Sequence, residues 1–203
     1  MGLAKLKTAT VVTPEDYLIF ERDSVSRHEF LDGEIYQMAG ESLSHSRVCM
    51  NLAREVGNKL KGKPCEALSP NMKVRTSNAS LFSYPDLTIV CGEPQFHDVK
   101  KDVLTNPQVV FEVLSPSTAE YDRTTKFQRY RMGNKTLTDY ILVSQDKCFV
   151  EHFRKSVSGD WLYQSYAALE NDLKIATIDC ELSLAEIYDR VELTFEAEEF
   201  EEE

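Results

Sequence analysis

No run of about 18 apolar residues occurs in the 203-residue chain, so nothing reads as a membrane span. The opening, Met1-Gly2-Leu3-Ala4-Lys5-Leu6, lacks the apolar core of a secretion signal. Leu6 also stands where a myristoylation motif wants Ser or Thr. A cytoplasmic location without a membrane anchor is the expectation. Cysteine is sparse: Cys49, Cys65, Cys91, Cys148 and Cys180 are scattered, odd in number and without a Cys-x-x-Cys pair. That argues against a zinc ribbon or a disulfide framework, and most are expected as small core hydrophobes in a reducing compartment. The motifs of nucleophilic and nucleotide enzymes are missing too: no G-x-S-x-G elbow, no HExxH helix, no phosphate-cradling G-x-x-x-x-G-K-[ST] and no GxGxxG after a strand. Ser115 and Ser117 read as helix caps.

Positive charge is also short. The net charge of −11 argues against nonspecific affinity for nucleic acid. Six of those charges are glutamates in the last eight residues, so −5 remains for residues 1–195. The tail, 196–203, reads as a solvated, disordered end. A local basic strip can still bind phosphate. No internal repeat or Gly-Ser linker divides the rest, and residues 1–195 are expected to form one domain.

What is present is an alternation of helix and strand signals. Thr13-Pro14-Glu15-Asp16 opens a helix carrying Tyr17, Leu18 and Phe20. Asp32-Gly33 joins two short strands as a hairpin, after which Ser42 or Ser44 caps a helix with the apolar stripe Val48, Cys49, Leu52, Val56 and Leu60. Extended segments follow from Cys65 to Thr76 and from Leu87 to Cys91, then a long polar connection from Gly92 to Asn106. Val109 to Leu114 is a central buried strand. Ser117-Thr118-Ala119-Glu120 matches a capping box for a helix stopped by Gly133-Asn134, and Ser183 to Glu186 matches a second one. The remaining strands run over Asp139–Val143, Cys148–Arg154, Trp161–Ala167 and Leu173–Ile178, with Trp161, Tyr163 and Tyr166 expected to pack rather than stack on bases. The pattern predicts an α/β (α+β) fold, a mixed sheet with helices packed on it.

Glu112 sits inside the apolar run Val109-Val110-Phe111-Glu112-Val113-Leu114. An unpaired ionised carboxylate there would cost several kcal/mol, roughly, so it needs a cation or donors. Asp86 stands at the mouth of another strand, and Asp122 and Lys126 lie one helical turn apart. Asp86 and Glu112 offer hard oxygen ligands to a magnesium ion, and Lys126 could stabilise developing negative charge, which together suit phosphodiester hydrolysis. Asp122, Lys126, Arg129 and Tyr130 share one helix face. The plainer reading makes Asp122 and Lys126 a surface ion pair worth at most about 1 kcal/mol, with Glu112 satisfied by Arg75 or Lys73. His45 is a candidate for phosphate contact or proton transfer, or a helix-start surface residue. Glu29 and Glu34 flank the hairpin turn and are expected to face solvent. Lys73 and Arg75 could bind backbone phosphates, and Glu55 could supply a third acid.

Pro85-Asp86 followed 26 residues later by Glu112 resembles the PD-(D/E)XK nuclease superfamily. Asp32-Gly33-Glu34 with Met38, then His45 ahead of Asn51-Leu52, is similar to the first part of Uma-two, a bacterial family assigned as endonucleases and formerly a domain of unknown function. Pro85-Asp86-Leu87…Val90-Cys91-Gly92 looks like its second motif. Glu112-Val113-Leu114-Ser115-Pro116-Ser117-Thr118, Asp122-Arg123, Lys126-Phe127, Tyr130-Arg131 and Tyr140 match its third, over about residues 13–190. The resemblance implies a restriction-endonuclease-like fold, a central mixed sheet flanked by helices, and a magnesium or manganese site held by Asp86 and Glu112. It also aligns Glu29 with a recurrent family acid. The lysine of the superfamily pattern, two residues after the glutamate, is here Leu114, and Lys126 is the substitute. The implied activity is cleavage of nucleic acid, DNA by expectation, with a homodimer expected by analogy. The alternative is a nuclease-fold protein that binds nucleic acid or a protein partner without cutting, and a third is a hydrolase of another phosphodiester.

Overall fold

The computed structural model describes residues 4–6 and 11–194, so the acidic tail at 196–203 lies outside the described residues. After the short strand β1 (Ala4–Lys5) comes helix α1 (Pro14–Asp23), opened by the Thr13 hydroxyl accepting from the Asp16 amide at 3.1 Å with proline in the first turn. Its Tyr17 and Leu18 are buried, the Tyr17 ring 5.3 Å from both Phe30 and Phe82, whereas Phe20 stays largely outside. Strands β2 (His28–Leu31) and β3 (Glu34–Gln37) form the expected hairpin. Asp32 and Gly33 both take positive φ, 47° and 89°, as a type I′ turn requires.

Helix α2 (Leu43–Leu60) starts at Ser42, whose hydroxyl accepts from the His45 amide. Val48, Leu52, Val56 and Leu60 are its buried stripe, with Cys49 at the margin. Each fully buried aliphatic side chain contributes about 1.5–3 kcal/mol, enough to hold an 18-residue helix to its sheet. Strands β4 (Cys65–Leu68), β5 (Lys73–Arg75), β6 (Leu81–Ser83) and β7 (Leu87–Cys91) follow. The connection from Gly92 to Asn106 is not purely loop: buried Val103 and Leu104 form β8 (Val103–Leu104), parallel to β5. Then come β9 (Val109–Leu114), a helical segment, β10 (Asp139–Ser144), β11 (Val150–Lys155) and β12 (Trp161–Tyr166). The chain continues through β13 (Asp172–Ile175), a 3-10 turn (Ala176–Ile178) and β14 (Cys180–Ser183).

Two six-stranded sheets result, ordered β1-β3-β2-β6-β5-β8 and β12-β11-β10-β9-β7-β4, with β13-β14 as a separate ribbon. In the second sheet β9 and β10 are parallel and the other neighbours antiparallel, so the sheet is mixed as expected. Alternate residues of β9 feed opposite faces. Val109, Phe111 and Val113 meet the α2 stripe, while Val110 and Leu114 meet Phe127, Tyr130 and Tyr140. Glu112 has the parity of the second face. No helix among the described residues is long and apolar enough to cross a membrane.

The helical segment departs from a plain α-helix. It reads as α3 (Ala119–Tyr121), a π-helical turn (Asp122–Lys126) and α4 (Phe127–Gly133). The capping box at Ser117 does not form. Thr118 makes no side-chain cap bond, and the Ser115 hydroxyl, just off the end of β9, accepts from the Thr118 amide at 3.3 Å. The second box fails likewise, since Ser183 makes no side-chain cap bond to the last helix, α5 (Leu184–Ile187). Gly133 does not end α4 through a left-handed conformation. It lies where a Cβ would come within 2.5 Å of Thr76 Cβ, so its role is close approach. Asn134 caps with its amide bonded to the Tyr130 carbonyl and its side chain donating to Arg75 O.

The cysteines also correct the sequence expectation. Cys65 and Cys91 are direct cross-strand partners in β4 and β7, with Cα atoms 3.9 Å apart, and form a disulfide. Antiparallel pairing makes neighbours of residues that are 26 apart in sequence. Cys49, Cys148 and Cys180 are free.

Candidate active site

The two sheets are joined through Ser83-Tyr84-Pro85-Asp86, which carries the chain from β6 into β7. The register Thr88↔Val110 and Leu87↔Phe111 continues one step to set Asp86 opposite Glu112. Asp86 Oδ2 accepts from the Val113 amide at 2.6 Å, which fixes the carboxylate against β9. Its Oδ1 lies 3.0 Å from His45 Nε2. His45 is positioned by the α2 N-terminus, which is tied to the end of β10 by Ser42 donating to Gln145 Oε1 at 2.6 Å.

Lys126, in the π turn, reaches Glu112. Its ammonium lies 2.9 Å from Glu112 Oε1, 3.0 Å from Glu29 Oε1 and 3.5 Å from Asp122 Oδ1. All four side chains are nearly closed from solvent, none more than 6% exposed. The pair Asp122–Lys126 is therefore a buried element rather than a surface ion pair. Nor do Arg75 or Lys73 serve Glu112, because Lys73 pairs with Asp102 at 3.2 Å and Arg75 meets His97 Nδ1 at 2.8 Å. Glu55 pairs with Arg54 on the surface of α2. Glu34 accepts from the Tyr36 hydroxyl.

Glu29 corrects another expectation. It is 2% exposed rather than solvent-facing. The hairpin is covered on both sides: Phe30 packs with Tyr17 and Phe82, and Glu29, one residue earlier, points to the opposite face and Lys126. Arg129, expected beside Lys126, instead lies outside and donates from Nε to Asp32 Oδ2 at 3.0 Å, which clasps α4 to the hairpin turn. Beneath the site the Tyr140 hydroxyl donates to the Asp122 carbonyl, pinning the π turn, and Tyr130 shares a 2.6 Å hydrogen bond with Ser83. π turns recur at functional sites because they re-aim side chains within a helix.

Sequence reasoning passed over Tyr121. Its ring lies 6.0 Å from the Lys126 ammonium, and its hydroxyl is buried without a hydrogen-bond partner. Nothing in its position marked it, apart from standing next to Asp122.

The electrostatics follow from three buried carboxylates around one ammonium. Burial opposes the charge on Lys126, but Glu112, Glu29 and Asp122 outweigh it and hold the ammonium charged well above its usual range. Burial drives Glu112 well above the ordinary carboxylate range, and the offset from Lys126 is insufficient because Asp122, Asp86 and Glu29 add to the rise. Burial raises Asp122 too, against the pull of Lys126. His45 is raised: burial disfavours its charge, but the hydrogen bond to Asp86 prevails. The cluster is thus short of positive charge. Two buried carboxylate oxygens of the cluster also lack a hydrogen bond, Glu29 Oε2 and Glu112 Oε1, the latter close to Lys126 but off the hydrogen-bond direction. Hard oxygen donors, excess negative charge and unfilled acceptors fit a divalent cation.

The mixed sheet is flanked by helices, an aspartate and a glutamate stand opposed on adjacent strands, and a lysine reaches the glutamate. Residues 14–186 match the family model of Uma2, described as "Putative restriction endonuclease", and the chain belongs to that family. It is similar to two proteins of Synechocystis sp. (strain ATCC 27184 / PCC 6803 / Kazusa). The first, "Uncharacterized protein slr1290", is 36% identical over 177 residues, covering 87% of this chain and 91% of the relative. The second, "Uncharacterized protein sll1609", is 34% identical over 155 residues, covering 76% and 87%. The crystal structure of a "putative nuclease" from Anabaena variabilis ATCC 29413 superposes with a TM-score of 0.73 at 14% identity, covering 87% of this chain and 97% of that one. At that identity the likeness speaks to fold.

Proposed function

We propose that the protein is a divalent-metal-dependent endonuclease that hydrolyses phosphodiester bonds in DNA. The observation that carries this reading is the 2.9 Å approach of Lys126 to Glu112. It supplies, from the next helix, the cation that Leu114 does not. Asp86 and Glu112 would hold Mg2+ or Mn2+, with Glu29 and Asp122 adding negative charge behind them. A hard divalent ion supplies positive charge at a scissile phosphate and lowers the pKa of a coordinated water. Lys126 is placed to hold an attacking water and to stabilise charge on the phosphate as it develops. The Val113 amide would hold Asp86 in one orientation as it acts. His45 stands at the outer edge of the site, where Asp86 Oδ1 faces its Nε2. A homodimer would present two such sites to the two strands of a duplex.

The test is plasmid nicking with magnesium or manganese by the wild type, Asp86→Asn and Lys126→Met. Loss of one charge-stabilising group is expected to slow cleavage about 10²–10³-fold. Absent nicking by the wild type, or nicking by the variants as fast as by the wild type, refutes the assignment. A second reading, a non-cleaving nuclease-fold protein, draws on the fact that both Asp86 oxygens are already engaged, by His45 and by the Val113 amide. Magnesium titration by calorimetry separates the two, since the first requires binding that Glu112→Gln weakens.

A further inference from the structure

A second constellation lies on the α2 side of Asp86. Glu41, just before the Ser42 cap, and His45 and Cys49, one turn apart on α2, converge so that a carboxylate oxygen, a ring nitrogen and the thiol sulfur all lie within 4.8 Å of one another. Asp86 brings a fourth donor, its Oδ1 at 3.0 Å from His45 Nε2, and Glu41 Oε2 lies 3.8 Å from the same nitrogen. His45 and Cys49 are partly buried and Glu41 is exposed, which leaves an entry path from solvent. Donors of types N, S and O differ in kind from the all-oxygen set around Glu112. Thiolate and imidazole select zinc-class cations, whereas magnesium selects oxygen alone.

We infer that Glu41, His45 and Cys49 form a site for a zinc-class divalent cation beside the all-oxygen site, with Asp86 standing between the two. Binding converts the Cys49 thiol to a metal-bound thiolate, with the proton passing to buffer, and deprotonates any charged His45 at Nε2. No electrons move.

The test is Co2+ titration of the full chain, with Cys49 kept reduced and without nucleic acid, followed by absorbance. The expected result is the visible band pattern of tetrahedral cobalt with a near-ultraviolet sulfur-to-cobalt charge-transfer band, both displaced by Zn2+. Cys49→Ser, of similar size, should abolish the charge-transfer band, and His45→Ala should weaken binding by at least about 10–100-fold, the loss seen even for outer-shell partners. Glu112→Gln should leave the band in place, which separates this site from the proposed catalytic one. A missing charge-transfer band in the wild type, or one that persists in Cys49→Ser, overturns the inference. Circular dichroism of each variant shows whether a lost band reflects a lost fold. Because the readout needs no cleavage, a protein inactive on plasmid but showing the band fails the nuclease reading and supports this one.

Discussion

Replacing Lys126 by methionine keeps an unbranched side chain one atom shorter and removes its charge, leaving Glu29, Glu112 and Asp122 facing one another without an ammonium. Removing one partner of a buried pair costs about 3–5 kcal/mol when the remaining charge must stay. The alternative for the variant is to protonate a carboxyl. Glu112, whose ordinary value is 4.5, is already driven upward by burial. Keeping such a group protonated at pH 7 costs about 3 kcal/mol relative to an unfolded chain in which it ionises freely. The folded variant then binds one more proton than the unfolded chain. Its stability should be complete below about pH 4.5 and fall by about 1.4 kcal/mol per pH unit as pH rises toward the folded value. Urea denaturation at pH 5, 6, 7 and 8 reads both size and slope, with the wild type alongside. Combining Lys126→Met with Glu112→Gln should recover much of the loss and flatten the slope. A Lys126→Met variant within 1 kcal/mol of wild type (roughly the worth of an exposed pair), with no pH dependence of its own, would refute the buried-cluster account.

The cluster's excess of carboxylate also predicts that Mg2+ binding at neutral pH releases protons, measurable by calorimetry in buffers of different ionisation enthalpy. Equal heats in all buffers would count against Glu112 as a protonated ligand. For the disulfide, alkylation under denaturing, non-reducing conditions should modify Cys49, Cys148 and Cys180 alone, and reduction should expose Cys65 and Cys91. Cys65→Ser should cost up to roughly 3 kcal/mol, from a closed loop spanning 26 residues, and a Tm unmoved by reductant would contradict it. Gly133→Ala should cost about 1–3 kcal/mol because its Cβ meets Thr76, whereas an unchanged Tm would mean that Thr76 gives way freely.

Local chemistry made the scaffold of the site legible. The apolar run through Val109–Leu114 is a central strand because each of its residues is buried, and Glu112 stands out within it as a charge needing partners. The identity of those partners was not local. Lys126 stands out by its one-turn spacing from Asp122 and by the family motif, but its reach depends on a π turn that no residue pattern announces. Glu29 looked exposed because it is near a polar turn, and its burial depends on α4 packing across the hairpin, with Arg129 fastened to Asp32. Cys65 and Cys91 looked unrelated for the same reason: only the pairing of β4 with β7 brings them together. Failed capping boxes at Ser117 and Ser183 show the opposite limit, a local signal overruled by how the chain leaves the preceding strand.

Lys126 and Glu29 are 97 residues apart in sequence and belong to parts of the chain that complete different sheets. A nascent or truncated chain ending before the π turn contains Glu29, Asp86 and Glu112, yet Glu29 and Glu112 would repel each other with nothing between them. The ammonium therefore acts as a keystone, inserted after both walls of the arch exist. An immature chain would hold its acids apart, and the buried cluster would close in one cooperative event.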